Sequence, residues 1–285
     1  MEHFELVPNL STGDDPETLA VAIAAVESCG ARVLHATSDA THNRSVLTIF
    51  GESRPLLDAS LALAHIARER IDLRAHHGVH PRIGSLDVLP FVPLGDTSMA
   101  DAVALARESA YSIWERERIP SFLYGEAALR ADRRVLSAAR GAGFEALPAR
   151  FAAGDRPDVG DIPSHQSAGA IAIGAREILI AWNIVLESGD IAAARRIARS
   201  LRERDGGLPG IRALAFRLTD RRVQLSFNIT DRHATPLRQL FEMARRLAED
   251  AGILIESSEL IGLLPRDALE SVVDSYLSIG AEACI

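Results

Sequence analysis

The chain has 285 residues, of which 47% are hydrophobic and 25% are charged. This composition is typical of a globular protein with one large domain or two ordinary ones and excludes a disordered chain. Acidic residues outnumber basic ones by 39 to 31, and the formal net charge of −8 disfavours nucleic acid as a partner. All basic residues are arginine, which excludes a Schiff-base lysine, a pyridoxal-phosphate lysine and the lysine of a phosphate-binding loop.

Strands and helices alternate in the first part of the chain. A helix is predicted over 15–28 because Pro16 stands in its first turn, acidic residues come early and apolar residues recur at helical spacing. A second helix, over 54–71, has leucine and isoleucine on one face. Apolar and β-branched segments predict four strands, which give the order β-α-β-β-α-β. These strands cover residues 4–8, 32–36, 45–50 and 85–92.

Residues 99–172 separate this part from the second half. They contain a predicted helix over 100–118, a short strand over 121–125 and a basic helix over 127–140. The polar segment 152–169 is rich in Gly, Pro, Asp and Ser, which indicates irregular backbone. It is either a binding loop or a plain linker between domains.

The second half repeats the order β-α-β-β-α-β, the order of a ferredoxin-like unit. We therefore predict an α+β fold, an α/β sandwich, with two ferredoxin-like subdomains over 1–172 and 173–285. The predicted strands cover 177–185, 211–217, 222–229 and 252–256; the helices cover 190–204, 236–250 and, at the C-terminal end, 265–277.

The cysteine count and the apolar runs bear on the compartment. Cys29 and Cys284 are too few for a cysteine-based zinc site or a disulfide framework and suit a reducing compartment. The first residues lack the basic and apolar segments of a signal peptide, and no run of 18 apolar residues occurs. We expect a cytoplasmic protein that binds small molecules and neither nucleic acid nor a membrane.

The densest group of chemically active side chains lies in 74–87, RAHHGVHPRIGSLD. The ordinary pKa of histidine, about 6.5, suits proton transfer near neutral pH. His76 and His80 have the spacing of two zinc ligands on a helix, but Gly78 and Pro81 disfavour that helix. A proton-transfer site, a metal site and histidines on a surface loop therefore remain as alternatives.

Two smaller polar groups are also candidates. Asp39, His42, Asn43 and Arg44 come just before a predicted strand, where they either orient a polar ligand or form an ordinary turn. Asn183 interrupts an apolar strand, and a buried asparagine needs hydrogen-bond partners from the protein or from a ligand.

The order of motifs along the chain resembles that of the glutamate formimidoyltransferase family, the formiminotransferase part of formiminotransferase-cyclodeaminase. The resemblance covers nearly the whole chain, and its most specific block is the segment that contains His80-Pro81-Arg82. The motifs are VPNLSTG (7–13), DATHNRSV (39–46), HHGVHPRIGSLDVLPFVPL (76–94), FLYGEAA (122–128), GAREILIAWNI (174–184), LPGIRAL (208–214), SFNITD (226–231) and SELIGLLP (258–265).

The resemblance implies a function in histidine degradation. The family transfers a formimino group from N-formimino-L-glutamate to the co-substrate tetrahydrofolate, which lies in a cleft or tunnel between two similar subdomains. The histidine before Pro-Arg, His80 here, is implied as general base and then general acid. Neither a metal nor a covalent enzyme intermediate is required, and we expect no metal.

The resemblance and the charge of the substrates also imply binding residues. Arginines are expected to concentrate locally, because guanidinium groups bind carboxylates in a bidentate manner. The residues expected to bind substrate are Asp39, His42, Asn43, Arg44, Arg82 and Asp87. Those expected to bind folate are Gly160, Pro163, Ser164, His165, Gln166, Gly169, Arg176 and Asn183.

The chain departs from the family pattern at Leu10, Thr12, Val79, Glu177 and Val185, where the family usually has Phe, Glu, Glu, a basic residue and Asn. These departures leave open the transfer of another one-carbon group, such as formyl, or folate binding without catalysis. A metal-dependent hydrolase that uses His76 and His80 is a further alternative. The oligomeric state is also left open, with a homodimer as one alternative.

Overall fold

The computed structural model describes residues 2–78, 80–161 and 163–277. The chain divides into two compact units, with the boundary between Glu177 and Ile178. The predicted α+β class is confirmed: the described residues form two β-sheets and eight α-helices. The ferredoxin-like designation and the subdomain boundary at 172/173 stay predictions. No helix among the described residues combines the length and the apolarity that crossing a bilayer requires.

The first unit is built on a seven-stranded sheet. Strand β3 lies at one edge beside β4; β1 and β2 follow one another in line between β4 and β5; and β7 and then β6 complete the sheet. The pairs among β1 to β5 are antiparallel, whereas β7 lies parallel to both β5 and β6. The strands are β1 (His3–Leu6), β2 (Asn9–Leu10), β3 (Arg32–Asp39), β4 (Arg44–Gly51), β5 (Leu86–Leu94), β6 (Ser121–Gly125) and β7 (Ile171–Ala175).

Helices cover this sheet on both faces. Three long helices pack on one face: α1 (Pro16–Ser28), α2 (Ser53–Arg70) and α3 (Met99–Glu117). Two short ones, α4 (Leu136–Arg140) and α5 (Leu147–Ala152), pack on the other. Successive residues of β6 alternate between the two cores, as the pleat of a strand requires.

The second unit has a four-stranded antiparallel sheet in the order β11-β8-β10-β9. Apolar residues of α6 and α7 pack with those of the strands into a separate core. The side chain of Asp190 accepts hydrogen bonds from two backbone N–H groups and begins α6. The elements are β8 (Ile180–Leu186), α6 (Ile191–Leu201), β9 (Ile211–Thr219), β10 (Arg222–Ile229), α7 (Leu237–Asp250), β11 (Ile255–Ile261) and α8 (Arg266–Leu277).

The predicted basic helix over 127–140 is wrong. The segment contains a single 3₁₀ turn, Ala131–Arg133, and then α4, because the backbone at Arg130 and Val135 is extended. The guanidinium of Arg133 is buried in ion pairs with Asp155 and Asp158. These tertiary contacts outweigh the helical propensity of the arginines and alanines.

Strand β7 was missed, and the strand predicted over 177–185 begins only at Ile180. Every residue of β7 is buried, so its sequence has no alternation of polar and apolar residues to mark a strand. The last strand, predicted over 252–256, is β11 at Ile255–Ile261, where the exposed residues gave little apolar signal.

Candidate active site

His80 is half-buried in the irregular segment between α2 and β5. Its Nδ1 lies 2.8 Å from the carbonyl oxygen of Pro81 and 3.1 Å from Nη1 of Arg44. A carbonyl oxygen can only accept and a guanidinium can only donate, so each neutral tautomer satisfies one of these contacts. The tautomer that donates from Nδ1 to Pro81 has its lone pair on Nε2, the form that a general base requires.

Asp87 organises the charges beside this imidazole. It is fully buried, and its Oδ2 accepts from Nη1 of Arg44 over 2.8 Å and from Nη2 of Arg140 over 2.6 Å. Its Oδ1 accepts from the backbone N–H of Ile83 over 2.8 Å. Arg44 is held further by Oδ1 of Asn9, which accepts from Nε over 2.9 Å and from Nη2 over 2.6 Å. Two guanidinium groups thus share one carboxylate, which leaves one positive charge in excess.

Burial and these cations set the protonation states. Burial lowers the pKa of His80 to about 2, and the charges of Arg44 and Arg140 act in the same direction. For Asp87, burial raises the pKa, but the two arginines outweigh it and the pKa is lowered to about 2. At neutral pH the site therefore holds a neutral imidazole and an ionised carboxylate.

The turn between β3 and β4 lies against His80. Nδ1 of His42 is 2.7 Å from Oδ2 of Asp39, and the rings of His42 and His80 meet edge to face at 6.2 Å between centroids. Burial alone would raise the pKa of Asp39, but hydrogen bonds from the backbone and ring of His42 lower it below its ordinary value. Asn43, at a positive φ of 46°, accepts from the N–H of Gly13 and donates to the carbonyl of His77. Two polar groups that are separate in sequence therefore form one site.

His76 and Arg82 lie at the edge of the same group. Nε2 of His76 is 3.0 Å from the carbonyl oxygen of Asn43, and Nη2 of Arg82 donates to Glu145 over 2.7 Å. Within 2–78, 80–161 and 163–277, the structure contains no group of three or more His, Cys, Asp or Glu side chains arranged to hold a metal ion.

The 160–169 loop is attached to the segment that carries His80. The carbonyl of Ala168 accepts from the N–H of Ser85 over 2.9 Å, and that of Ser167 accepts from Leu73 over 2.9 Å. Gly169 has a φ of +71° and lies so close to Ile83 that an added Cβ would stand 2.3 Å from its carbonyl oxygen. The loop residues predicted to bind folate are Gly160, Pro163, Ser164, His165, Gln166 and Gly169; of these, Gly160, Pro163 and Gln166 are exposed.

The two remaining predicted binding residues, Arg176 and Asn183, belong to different compact units. Arg176 follows directly after β7, and its backbone N–H donates to the carbonyl of Phe91 over 3.1 Å. Burial raises the pKa of Tyr124, whose phenol is hydrogen-bonded to the side chain of Arg176. Asn183 belongs to the second unit, where it is buried on β8 opposite Ser226 of β10.

The residues at which the chain departs from the family pattern lie in different parts of the fold. Val79 lies outside the described residues. Leu10 is buried in β2 and Thr12 is buried just after it, and the carbonyl of Thr12 accepts from the hydroxyl of Ser45 over 2.6 Å. Glu177 is exposed, and Val185 stands opposite Gln224 on β10.

Sequence reasoning missed three residues of the site. Asn9 stands in VPNLSTG and Tyr124 in FLYGEAA, two motifs that carried the resemblance, so their position was available as a signal. Arg140 had no signal that distinguished it from the other arginines of its segment. Only the folded chain brings its guanidinium to Asp87.

Comparison with known proteins identifies related sequences along almost the whole chain. Residues 3–176 match the formiminotransferase domain, N-terminal subdomain, and residues 181–283 match the formiminotransferase domain. The glutamate formimidoyltransferase of Thermoplasma acidophilum is 40% identical over 98% of this chain and 93% of that protein. The glutamate formimidoyltransferase of Streptococcus pyogenes serotype M1 is 36% identical over 96% of this chain and 93% of that protein. The formimidoyltransferase-cyclodeaminase of Rattus norvegicus is 36% identical over 95% of this chain, which spans about half, 52%, of the rat protein.

Proposed function

Because the chain belongs to the formiminotransferase family, we infer that it is a folate-dependent one-carbon transferase. Its substrates are N-formimino-L-glutamate and tetrahydrofolate, and its products are L-glutamate and the formimino derivative of the folate. The names of the relatives that match over nearly their full length support this activity.

His80 moves the proton in the proposed mechanism. N5 of tetrahydrofolate attacks the formimino carbon, which forms a carbon–nitrogen bond and leaves a proton to be removed from N5. His80 accepts that proton and returns it to the glutamate nitrogen as the bond from that nitrogen to the formimino carbon breaks. The observation that carries this role is that a neutral, half-exposed imidazole lies against the buried Arg44–Asp87 pair.

The positive charge in excess beside His80 lowers the basicity of the ring before substrate binds. An anionic group of the substrate placed beside this pair of guanidinium groups, Arg44 and Arg140, would offset the cations that lower the pKa of His80. The ring would then approach the pKa near neutrality that suits a group acting first as base and then as acid. Substrate binding and proton transfer are coupled in this mechanism.

The other predicted residues are assigned by position. Asp39, His42 and Asn43 form a polar wall beside His80, and Arg82 supplies a further cation. Asp87 acts through Arg44, which it orients, since its oxygens already accept from protein groups. The folate is assigned to the 160–169 loop with Arg176, and the expected contact of Asn183, which belongs to the second unit, stays a prediction. A cytoplasmic location and a homodimer stay predictions.

The test is an assay of N-formimino-L-glutamate with tetrahydrofolate, read by folate absorbance. The variant His80→Ala should lose transfer by roughly 100- to 10,000-fold, because the proton no longer has an acceptor, while folate binding is retained. His233→Ala is the control, since that ring is 76% exposed on the second unit. Full turnover in His80→Ala would contradict the role of His80 in proton transfer. A wild-type protein that transfers a group from a formyl donor but not from N-formimino-L-glutamate would contradict the proposed substrate.

A further inference from the structure

Arg140 is a largely buried cation of the site to which no motif assigns a role. It is the last residue of α4, and its side chain is 13% exposed. Its Nη2 donates to Asp87, but its Nε is buried and has no hydrogen-bond partner in the described part of the chain. A buried guanidinium N–H without an acceptor is costly, so a ligand that supplies an acceptor is bound favourably there.

The other guanidinium of the pair is already engaged. The three nitrogens of Arg44 contact Asp87, His80 and Asn9. Asp87 in turn neutralises only one of the two positive charges, and it is the only carboxylate to which the structure pairs Arg44 or Arg140 within the described residues. The excess charge and the N–H without a partner therefore coincide at Arg140, which is the pattern of a carboxylate-binding group.

The covalent structure of the donor identifies the carboxylate, and this step rests on the proposed function. In an N-formimino amino acid, the nitrogen that leaves is bonded to the carbon that carries the α-carboxylate. A ring that protonates this nitrogen therefore has the α-carboxylate as its nearest anionic neighbour, and the γ-carboxylate lies two methylene groups further away. We infer that Arg140 binds the α-carboxylate of the formimino donor and thereby selects donors derived from α-amino acids.

Three donors separate this role from a structural one. They are N-formimino-L-glutamate, N-formimino-L-2-aminobutyrate, which lacks the γ-carboxylate, and N-formimino-4-aminobutyrate, which lacks the α-carboxylate. Arg140→Gln should lose roughly 10- to 100-fold in kcat/KM with the first two donors and less than about 3-fold with the third. The KM for tetrahydrofolate should stay within about 2-fold, and Arg140→Lys should recover part of the loss because it keeps the charge.

Arg133→Gln is the matched control, because it removes another buried guanidinium of the same segment that is paired with Asp155 and Asp158. It should lower the thermal midpoint without changing the ratio between donors. Equal losses of Arg140→Gln with all three donors, or no loss with any, would overturn the assignment. If Arg140→Gln does not fold, the test is made with Arg140→Lys, and its losses in kcat/KM are compared among the same three donors. A wild-type protein without formimino transfer would instead contradict the proposed function.

Discussion

The imidazole of His80 contacts Arg44, which shares the carboxylate of Asp87 with Arg140, and burial together with these two cations lowers the pKa of the ring to about 2. In the unfolded chain the same ring has a pKa of about 6.5. The difference links the stability of the fold to pH. The unfolded chain binds a proton below pH 6.5 that the native site rejects, so His80 makes the native state less stable as the pH falls through that range.

This linkage predicts a difference in pH dependence between the wild type and His80→Asn. The free energy of unfolding of the wild type should fall more steeply between pH 7 and pH 5, because asparagine does not titrate. Urea unfolding at pH 7, 6 and 5 measures both slopes. The other histidines are common to both proteins and cancel in the comparison. Parallel slopes would mean that the ring is protonated as readily in the native state as in the unfolded chain.

The 160–169 loop depends on close backbone approach at one glycine. A Cβ on Gly169 would stand 2.3 Å from the carbonyl oxygen of Ile83, and its φ of +71° is itself unfavourable for alanine. Gly154 precedes the loop with a φ of +86°, but a Cβ there would meet no atom within 4 Å. The two glycines therefore separate backbone strain from steric exclusion.

We expect Gly169→Ala to displace the loop from the segment before β5, to lower the unfolding midpoint and to weaken tetrahydrofolate binding by at least roughly 10-fold. Gly154→Ala should cost only about 1 kcal/mol of backbone strain and leave folate binding unchanged. Fluorescence titration with folate and thermal unfolding of both variants provide the measurement. Equal folate affinity in the two variants would show that the loop position does not matter for binding.

Among the elements, those with a clear period or cap were predictable from sequence. Helix α1 begins at Pro16, one residue after the predicted start, because proline in the first turn and the Asp15 cap both act locally. Strand β7 was not predictable, because burial on both faces removes alternation. The segment 127–140 was not either, because the contacts of Arg133 with Asp155 and Asp158 join distant parts of the chain.

The residues of the candidate site also fall into those that the sequence predicted and those that it did not. A histidine before Pro-Arg pointed to His80 and the local motifs to Asp39 and Arg44. The pairing of Arg140 with Asp87 spans 53 residues and depends on how α4 packs on the sheet. No local pattern encodes such a contact, so the second cation of the site emerged only from the fold.

At the scale of the whole molecule, the charge is opposite to what the substrates need. The chain carries a net charge of −8, yet both proposed substrates are anions. Long-range repulsion should therefore slow their approach, whereas the attraction beside His80 is short-ranged and comes from arginines that are mostly buried: the side chains of Arg44 and Arg140 are 10% and 13% exposed.

Salt separates these two effects, because it screens exposed charges over a Debye length of about 10 Å at 0.1 M and buried pairs far less. Raising sodium chloride from 0.02 to 0.3 M should therefore increase kcat/KM for N-formimino-L-glutamate by roughly 2-fold, since repulsion is screened while the buried contacts persist. The donor N-formimino-4-aminobutyrate carries one carboxylate fewer and should respond less. Initial rates at several salt concentrations measure both responses. A steep fall of kcat/KM with salt would mean that exposed arginines, and not the buried pair, attract the substrate.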